Sequence, residues 1–263
     1  MRIATWNVNS VRTRAERIAA FLEREDVDVL AMQETKTADA KFPYATFEAA
    51  GYEVAHVGVS QWNGVAIASR VGLDNVRDAF DRQPEFAKKG APEVEARAVG
   101  ANCGGVEVWS LYVTNGREIG DPHYDYKLQF LWSLADQVEP SELQVYMGDF
   151  NVAPRDTDVW DVAWFEGKTH VTEPERAAFQ MLLEAGLYEV EHEQPYSFWD
   201  YKSMRFQHNE GMLIDFQLAT APMRDLVQQA WVDIDERRGK GASDHAPVIV
   251  DYDTRGLAYD EVR

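Results

Sequence analysis

The stretch that decides the fold reads Leu143-Gln144-Val145-Tyr146-Met147-Gly148-Asp149-Phe150-Asn151-Val152-Ala153-Pro154. Its largely apolar start predicts a buried strand, which stops at Gly148 and is followed by Asp149 and Asn151. In an extended chain residues i and i+2 point the same way, so these two side chains share one side where the strand opens into a loop. Gly, Asp and Asn also favour turns for backbone reasons. On its own the fragment leaves a turn and a site equally open.

The remaining chain supplies the context. Its 263 residues, 45% apolar and 27% charged, suit a globular protein with a sizeable core. No linker or low-complexity tract interrupts it, so we read one domain over 1–253 and a C-terminal tail over 254–263. The N-terminal MRIATWNVNS lacks the apolar core of a secretory signal, and no segment approaches the ~20 apolar residues of a membrane span. A single Cys103 excludes an internal disulfide and a Cys-based zinc site. We expect a cytoplasmic monomer with no membrane partner.

Charge points the other way from nucleic acid. Forty-five acidic against 26 basic residues give a net charge of −19, whereas polyanion ligands are normally met by a basic footprint. Local charge can differ from the total: Arg237, Arg238 and Lys240 cluster, as do Arg12, Arg14 and Arg17.

Periodicity predicts strands over 2–6, 27–32, 52–59, 64–69, 95–101, 106–113, 143–147, 197–201, 213–220, 226–232 and 247–252. Helices are predicted over 11–25, with Ser10 as N-cap, over 124–138 and over 173–185. Asn63-Gly64 and Gly104-Gly105 are hairpin signals. Many strands with few helices, several apolar on both faces, predict an α/β fold with two packed sheets and helices outside. Polar outliers fall at strand ends: Asn7, Glu34, Tyr112 with Asn115, Asp149 with Asn151, Asp215, and Asp244 with His245. Strand ends on one rim of a sandwich can converge although scattered in sequence.

These groups are nearly all oxygen donors or carboxamides, with one imidazole. Such a set suits Mg²⁺ or Mn²⁺ rather than zinc, and phosphodiester hydrolysis is the reaction that most needs it. The six histidines show no His-x₃-His pair for a zinc hydrolase.

The motifs WNVNSVR (6–12), LAMQETK (30–36), WNGVAIASR (62–70), YVTNGR (112–117), MGDFNVAP (147–154), SFWDY (197–201), IDFQLAT (214–220) and SDHAPV (243–248) resemble, in order and spacing, the exonuclease III branch of the endonuclease/exonuclease/phosphatase superfamily. The resemblance runs from residue 1 to about 252. It implies a four-layer αββα, DNase I-like sandwich and a Mg²⁺-dependent DNA-repair nuclease, cleaving duplex DNA 5′ to abasic sites and trimming 3′ ends. It also implies roles. Glu34, with Asn7 beside it and Asp244 completing the shell, would hold the metal. Asp149 would orient or deprotonate water, with Asn151 fixing it or the phosphate. His245 would donate to a phosphate oxygen, oriented by Asp215. Tyr112 and Asn115 would grip the scissile phosphate, with Arg117 of the same motif on the substrate side. Phe198, Trp199 and Met212 would line a slot for the extruded abasic sugar.

The pattern departs from the family at Asn209-Glu210-Gly211-Met212-Leu213-Ile214-Asp215, where Glu210 and Leu213 replace two cations. Tyr188-Glu189-Val190-Glu191 moves the same way. Each lost phosphate contact should weaken DNA binding by roughly 1–2 kcal/mol. Two readings compete with the nuclease: a superfamily phosphatase acting on RNA or small phosphate esters, and a non-catalytic nucleic-acid binder. An aromatic slot argues against the first, and retention of five catalytic-type residues against the second.

Overall fold

The computed structural model describes residues 1–87 and 90–257; the last six positions of the expected tail, 258–263, lie outside the described residues. Two six-stranded sheets make its centre. The first joins β1 (Arg2–Asn7), β2 (Val29–Gln33), β3 (Glu53–Val57), β4 (Val65–Ser69), β13 (Val227–Val232) and β14 (Val248–Tyr252) in the order β13-β14-β1-β2-β4-β3. The second joins β5 (Asp74–Arg77), β8 (Ala98–Cys103), β9 (Val106–Tyr112), β10 (Gln144–Asp149), β11 (Leu187–Glu189) and β12 (Asp215–Thr220) in the order β11-β12-β10-β9-β8-β5. Between β5 and β8, the short strands β6 (Glu85–Phe86) and β7 (Glu93–Val94) pair as a separate ribbon. Each six-stranded sheet has one central parallel pair, β1 with β2 and β9 with β10, inside antiparallel neighbours.

The period of two explains the layers. Along β2, Val29 and Ala31 face the second sheet, while Leu30 and Met32 face outward; along β10, Val145 and Met147 face the first sheet and Tyr146 faces away. Outward residues of the first sheet pack on α1 (Val11–Arg24) and α2 (Tyr44–Ala49). Those of the second pack on α3 (Pro122–Ala135) and α4 (Glu173–Glu184). The expected αββα sandwich is therefore observed, with one short further helix, α5 (Ala221–Arg224). Among the described residues no helix is long and apolar enough to cross a membrane.

Polar cross-links pin the sheets together. The Gln33 amide donates to Thr5 Oγ1 and Ser110 Oγ, both at 3.0 Å, linking β1, β2 and β9. Gln217 on β12 donates to the Ile3 and Val248 carbonyls of the opposite sheet at 2.9 and 3.1 Å. Buried amides left unpaired would be costly; here each is committed.

Several expected elements differ. The segment 197–201 is not a strand: Phe198 makes only isolated bridges to Met212 and His245, because the chain turns away on both sides of it. Ser10 occupies the start of α1, but its hydroxyl meets Thr13 Oγ1 at 3.0 Å and caps no backbone N–H. The helix predicted over 124–138 starts two residues earlier, at Pro122, because Asp121 accepts from His123 N at 2.7 Å and Pro122 is favoured at the first helical position. Asn63 and Gly64 do adopt positive φ, yet as the end of a seven-residue loop between β3 and β4 rather than as a two-residue turn.

Gly148 has a specific cause. Its φ is 148°, and a Cβ at that position would lie 1.9 Å from the Leu111 carbonyl oxygen of the parallel neighbour β9. Gly148→Ala should therefore force the central strands apart and lower unfolding stability by about 1–3 kcal/mol, the usual range for overpacking. A urea midpoint equal to that of the parent protein would contradict this.

Candidate active site

Parallel strands within a sheet finish on one rim, and antiparallel partners begin there. The topology thus gathers the ends of β1, β2, β9 and β10 with the starts of β12 and β14. In register, Asn7 lies beside Gln33, and Asp149 lies between Tyr112 and Asp215.

Glu34 follows β2 directly, with φ at 51°, an unusual value for a non-glycine residue. Several contacts hold it there. Ser10 N donates to the Glu34 carbonyl at 2.7 Å and Thr35 N to that of Gly64 at 3.1 Å. Thr35 Oγ1 meets His56 Nε2 at 2.8 Å, and His56 Nδ1 faces Asp39 Oδ1 at 2.8 Å. Burial followed by Asp39's opposing pull leaves His56 down at about 4, so the ring is neutral near pH 7.

Asn7 Nδ2 donates to Glu34 Oε1 and to Asp149 Oδ2, each at 2.9 Å, joining the first sheet to the second. Its oxygen accepts from Asn9 N at 3.1 Å. Asn7, expected on the metal side, is here a bridging donor with its oxygen turned toward the backbone. Asp149 is fixed at its other oxygen by Asn151 N at 3.0 Å. Burial pushes the Asp149 carboxyl up to about 8, with Asp215 and Glu34 adding to the rise and His245 opposing it. Burial also pushes Glu34 up, but Lys36 at 2.6 Å and Asn7 outweigh it and hold the carboxyl below its ordinary range.

His245 Nδ1 lies 2.8 Å from Asp215 Oδ2, and its Nε2 faces Asp149 Oδ2 at 3.8 Å. Burial pulls the imidazole down, yet Asp215 and then Asp149 prevail and raise it to about 10. Protonated His245 and buried Asp149 thus face each other. Ser197 Oγ donates to the same Asp215 oxygen at 2.6 Å. Ligand atoms of Glu34, Asp149 and His245 all lie within 4.8 Å of one another. The paired carboxylate oxygens, hard donors beside an amide, fit a small divalent cation, while His245 has Nδ1 committed to Asp215.

Asn151 takes φ 51° and donates from Nδ2 to the Val113 carbonyl at 2.9 Å. Its oxygen accepts from His170 Nε2 at 3.0 Å. Burial, followed by Lys127, pushes His170 down to about 4, so the ring is neutral and uses Nε2 as the donor. Beneath them Lys127 Nζ donates to the Asn151 carbonyl at 2.6 Å and pairs with Glu175, both side chains fully buried. For Tyr112, burial and then the Glu34 charge push the phenol well above its ordinary range, so it remains a donor, with the Arg97 guanidinium 4.9 Å from its ring centre.

These groups sit at the head of a cleft of about 660 Å³. Asn115, Arg117, Phe198, Met212 and Asp244 all line it. Asp244 meets Asn9 Nδ2 at 3.0 Å and stands outside the three-residue cluster. Trp199 does not line the cleft. Adjacent residues of an extended stretch point oppositely, so Phe198 packs 4.8 Å from the His245 ring while Trp199 is buried with Val232, Ala246 and Val248.

Sequence reasoning passed over Ser197, His170, Trp160, Trp164, Lys168 and Arg205. Ser197 belongs to the quoted SFWDY motif and could have been found as an orienter of Asp215. The others lie in irregular segments without periodicity. The two basic clusters are mostly spent internally: Arg17 holds Glu236 at 2.5 Å, Arg14 donates to carbonyls, Arg237 is buried and Arg238 pairs with Asp235 at 2.9 Å. The cleft draws its cations from Arg117, Lys168, Lys202 and Arg205 instead.

Residues 4–245 match the model of the endonuclease/exonuclease/phosphatase family. Exodeoxyribonuclease III of Haemophilus influenzae is 28% identical over 96% of this chain and 100% of its own length. The structure of an AP endonuclease from Archaeoglobus fulgidus is similar at 33% identity and a TM-score of 0.88, covering 96% of this chain and 99% of that one. A 3′ phosphatase from Neisseria, bound to a product DNA hairpin, is similar at 32% identity and a TM-score of 0.88 over 96% of this chain and 99% of that one.

Lys127→Met would leave Glu175 as an uncompensated charge under Asn151 and should lower unfolding stability by about 3–5 kcal/mol. Adding Glu175→Leu should recover most of that loss in urea denaturation. A single variant as stable as the parent would show that the pair does not hold this layer.

Proposed function

The chain belongs to the endonuclease/exonuclease/phosphatase family, and we propose that it is a Mg²⁺- or Mn²⁺-dependent DNA-repair nuclease of the exonuclease III type, hydrolysing phosphodiesters 5′ to abasic sites and at 3′ ends. The observation that carries this reading is the convergence of Glu34, Asp149 and His245 at the head of a cleft walled by aromatics and cations.

Glu34, with Asn7 beside it and Asp244 through water, would hold the ion. When bound, a divalent cation supplies positive charge to the phosphate oxygens and the leaving group. The chain's own residues do the rest. Asp149 is held at both oxygens, by Asn7 and by the Asn151 N–H, so it presents one fixed basic face to an attacking water. Burial, which raises the proton affinity of this carboxylate, makes it a stronger base toward that water. His245 has Nδ1 occupied by Asp215, which directs Nε2–H into the cleft toward a non-bridging phosphate oxygen and supports its charge. The Tyr112 phenol, kept protonated beside Glu34, adds a neutral donor. Charge-assisted donors that stand ready before the reaction stabilise the transition state without reorganisation. Phe198 and Met212 pair their backbones at 2.9 Å and form an apolar wall below His245. Such a wall suits an extruded sugar without a base, which is cheap to flip.

The experiment is a duplex carrying one abasic analogue, incubated with Mg²⁺ or with EDTA, alongside a duplex with a recessed 3′ end and a panel of small phosphate esters. We expect cleavage of the DNA substrates with Mg²⁺ only. Asp149→Asn should reduce turnover by at least about a hundredfold, within the range for losing a general base, while DNA affinity changes little. Hydrolysis of the small esters alone, or near-parental turnover by the variant, would reject the reading.

A further inference from the structure

Glu210 is the residue that most opposes a polyanionic substrate, since it lines the cleft and stands where the family pattern carries a cation. The structure gives it a definite partner. Glu210 Oε2 accepts from Arg205 Nη1 at 2.6 Å, and the Glu210 backbone N–H donates to the Arg205 carbonyl at 2.8 Å. The Arg205 guanidinium carbon lies 4.6 Å from the Trp160 ring centre and 4.8 Å from that of Trp164. Lys168 Nζ stands 3.0 Å from the Trp164 ring centre. All five residues line the cleft headed by Glu34, Asp149 and His245.

Three physical points make this more than a surface ion pair. First, the loop has little conformational preference of its own, because Ser203, Met204 and Asn209 all hold positive φ, at 58°, 51° and 54°. A backbone of that kind persists only where contacts hold it. Second, a free arginine side chain carries large rotamer entropy, and the carboxylate and two indoles together remove that freedom before any ligand arrives. Third, Glu210 engages only one of the three guanidinium nitrogens. Nε and Nη2 have no hydrogen-bond acceptor among the described residues. With the guanidinium lying against the indoles, what it has left to offer is in-plane N–H groups, the edge that suits a phosphate.

We propose that Glu210 is a positioning residue whose task is to hold Arg205 on the Trp160–Trp164 pair, so that the free guanidinium edge meets a phosphodiester of the strand entering the cleft. This rests on the nuclease reading above and names its substrate grip as a backbone contact, indifferent to base sequence. Glu210 is then no simple loss of positive charge, but the anchor of a cation supplied from a neighbouring loop.

The proposal inverts an electrostatic expectation, which makes it testable. Removing a carboxylate from a cleft that binds a polyanion should tighten binding if charge alone matters. Holding Arg205 predicts the reverse. Binding isotherms for the abasic duplex in EDTA at several salt concentrations should show Glu210→Gln weakening affinity about five- to tenfold, the equivalent of one ordinary hydrogen bond. Steady-state assays with Mg²⁺ should place the loss on KM, with kcat changed less than about twofold. Arg205→Ala should weaken binding at least as much and lower the salt slope by about one. In the Arg205→Ala background, Glu210→Gln should have no further effect; with Arg205 in place, Glu210→Asp should keep part of the affinity that Glu210→Gln loses. Parental melting temperatures establish that each variant is folded, and Arg205→Lys, which keeps the charge but not the fork, should bind like Glu210→Gln. A protein that cleaves DNA and whose Glu210→Gln variant binds as tightly as the parent, or more tightly, overturns the assignment of Glu210 alone. A parent inert toward the duplex rejects the nuclease reading together with this inference.

Discussion

One carboxamide ties the molecule together where it matters. The Asn7 amide reaches from the end of β1 in the first sheet to Glu34 on its neighbour and to Asp149 in the second sheet. Two carboxylates brought this close repel, and removing them from water is costly unless their lone pairs are used. Here Lys36 takes the second Glu34 oxygen and the Asn151 N–H takes the second Asp149 oxygen. The sheet-spanning contacts of Gln33 and Gln217 set the separation at which that amide can serve both sides. If β1 slipped by one residue in its pairing with β2, the period of two would turn Asn7 to the opposite face of its sheet. Packing register and site geometry are the same constraint seen at two scales.

That constraint also explains what could be read from the sequence. The central strands were legible because each feeds two cores and so is apolar on both faces. Glu34, Asp149, Asp215 and His245 stood out because a polar group at the end of such a strand needs a partner. Less legible were the edges. β5 and β11 are short, and exposed positions dominate β5, so no alternation marks them. The six-residue α2 is too short for a period of 3.6 to show. Trp199 was misplaced because an extended five-residue motif was treated as one surface, although its neighbours in sequence face opposite ways. His170 could not have been found by spacing, since its partner is a carboxamide nineteen positions away, met through a residue with φ of 85°.

The acidic total proves compatible with a cleft in which Arg117, Lys168, Lys202 and Arg205 stand among five carboxylates. Much of the chain's arginine is engaged in holding loops to helices, as in the pair that Arg17 and Arg24 make with Glu236. Pairing of this kind removes charges from play as far as a ligand is concerned, since fields of partly buried opposite charges cancel over a few ångströms. What a phosphate meets is decided by the few side chains at the cleft mouth. Net charge governs solubility and long-range steering, and only the local arrangement governs grip.

A division of labour between strand ends and loops follows from the architecture. The groups proposed to act on the reacting bond sit in or beside strand ends, where neighbours hold Asp149 at both oxygens and His245 at Nδ1. Residues that line the approach, such as Arg205 and Lys168, come from irregular segments and owe their orientation to indole faces. Cation–π contact keeps a guanidinium flat while leaving its edge free, which a buried ion pair would not. A fold that holds its proposed bond-breaking groups at strand ends can therefore change its substrate grip through loop residues without disturbing them, and Glu210 and Leu213 beside the Asp215–His245 pair differ in that way from the family pattern that the sequence resembles.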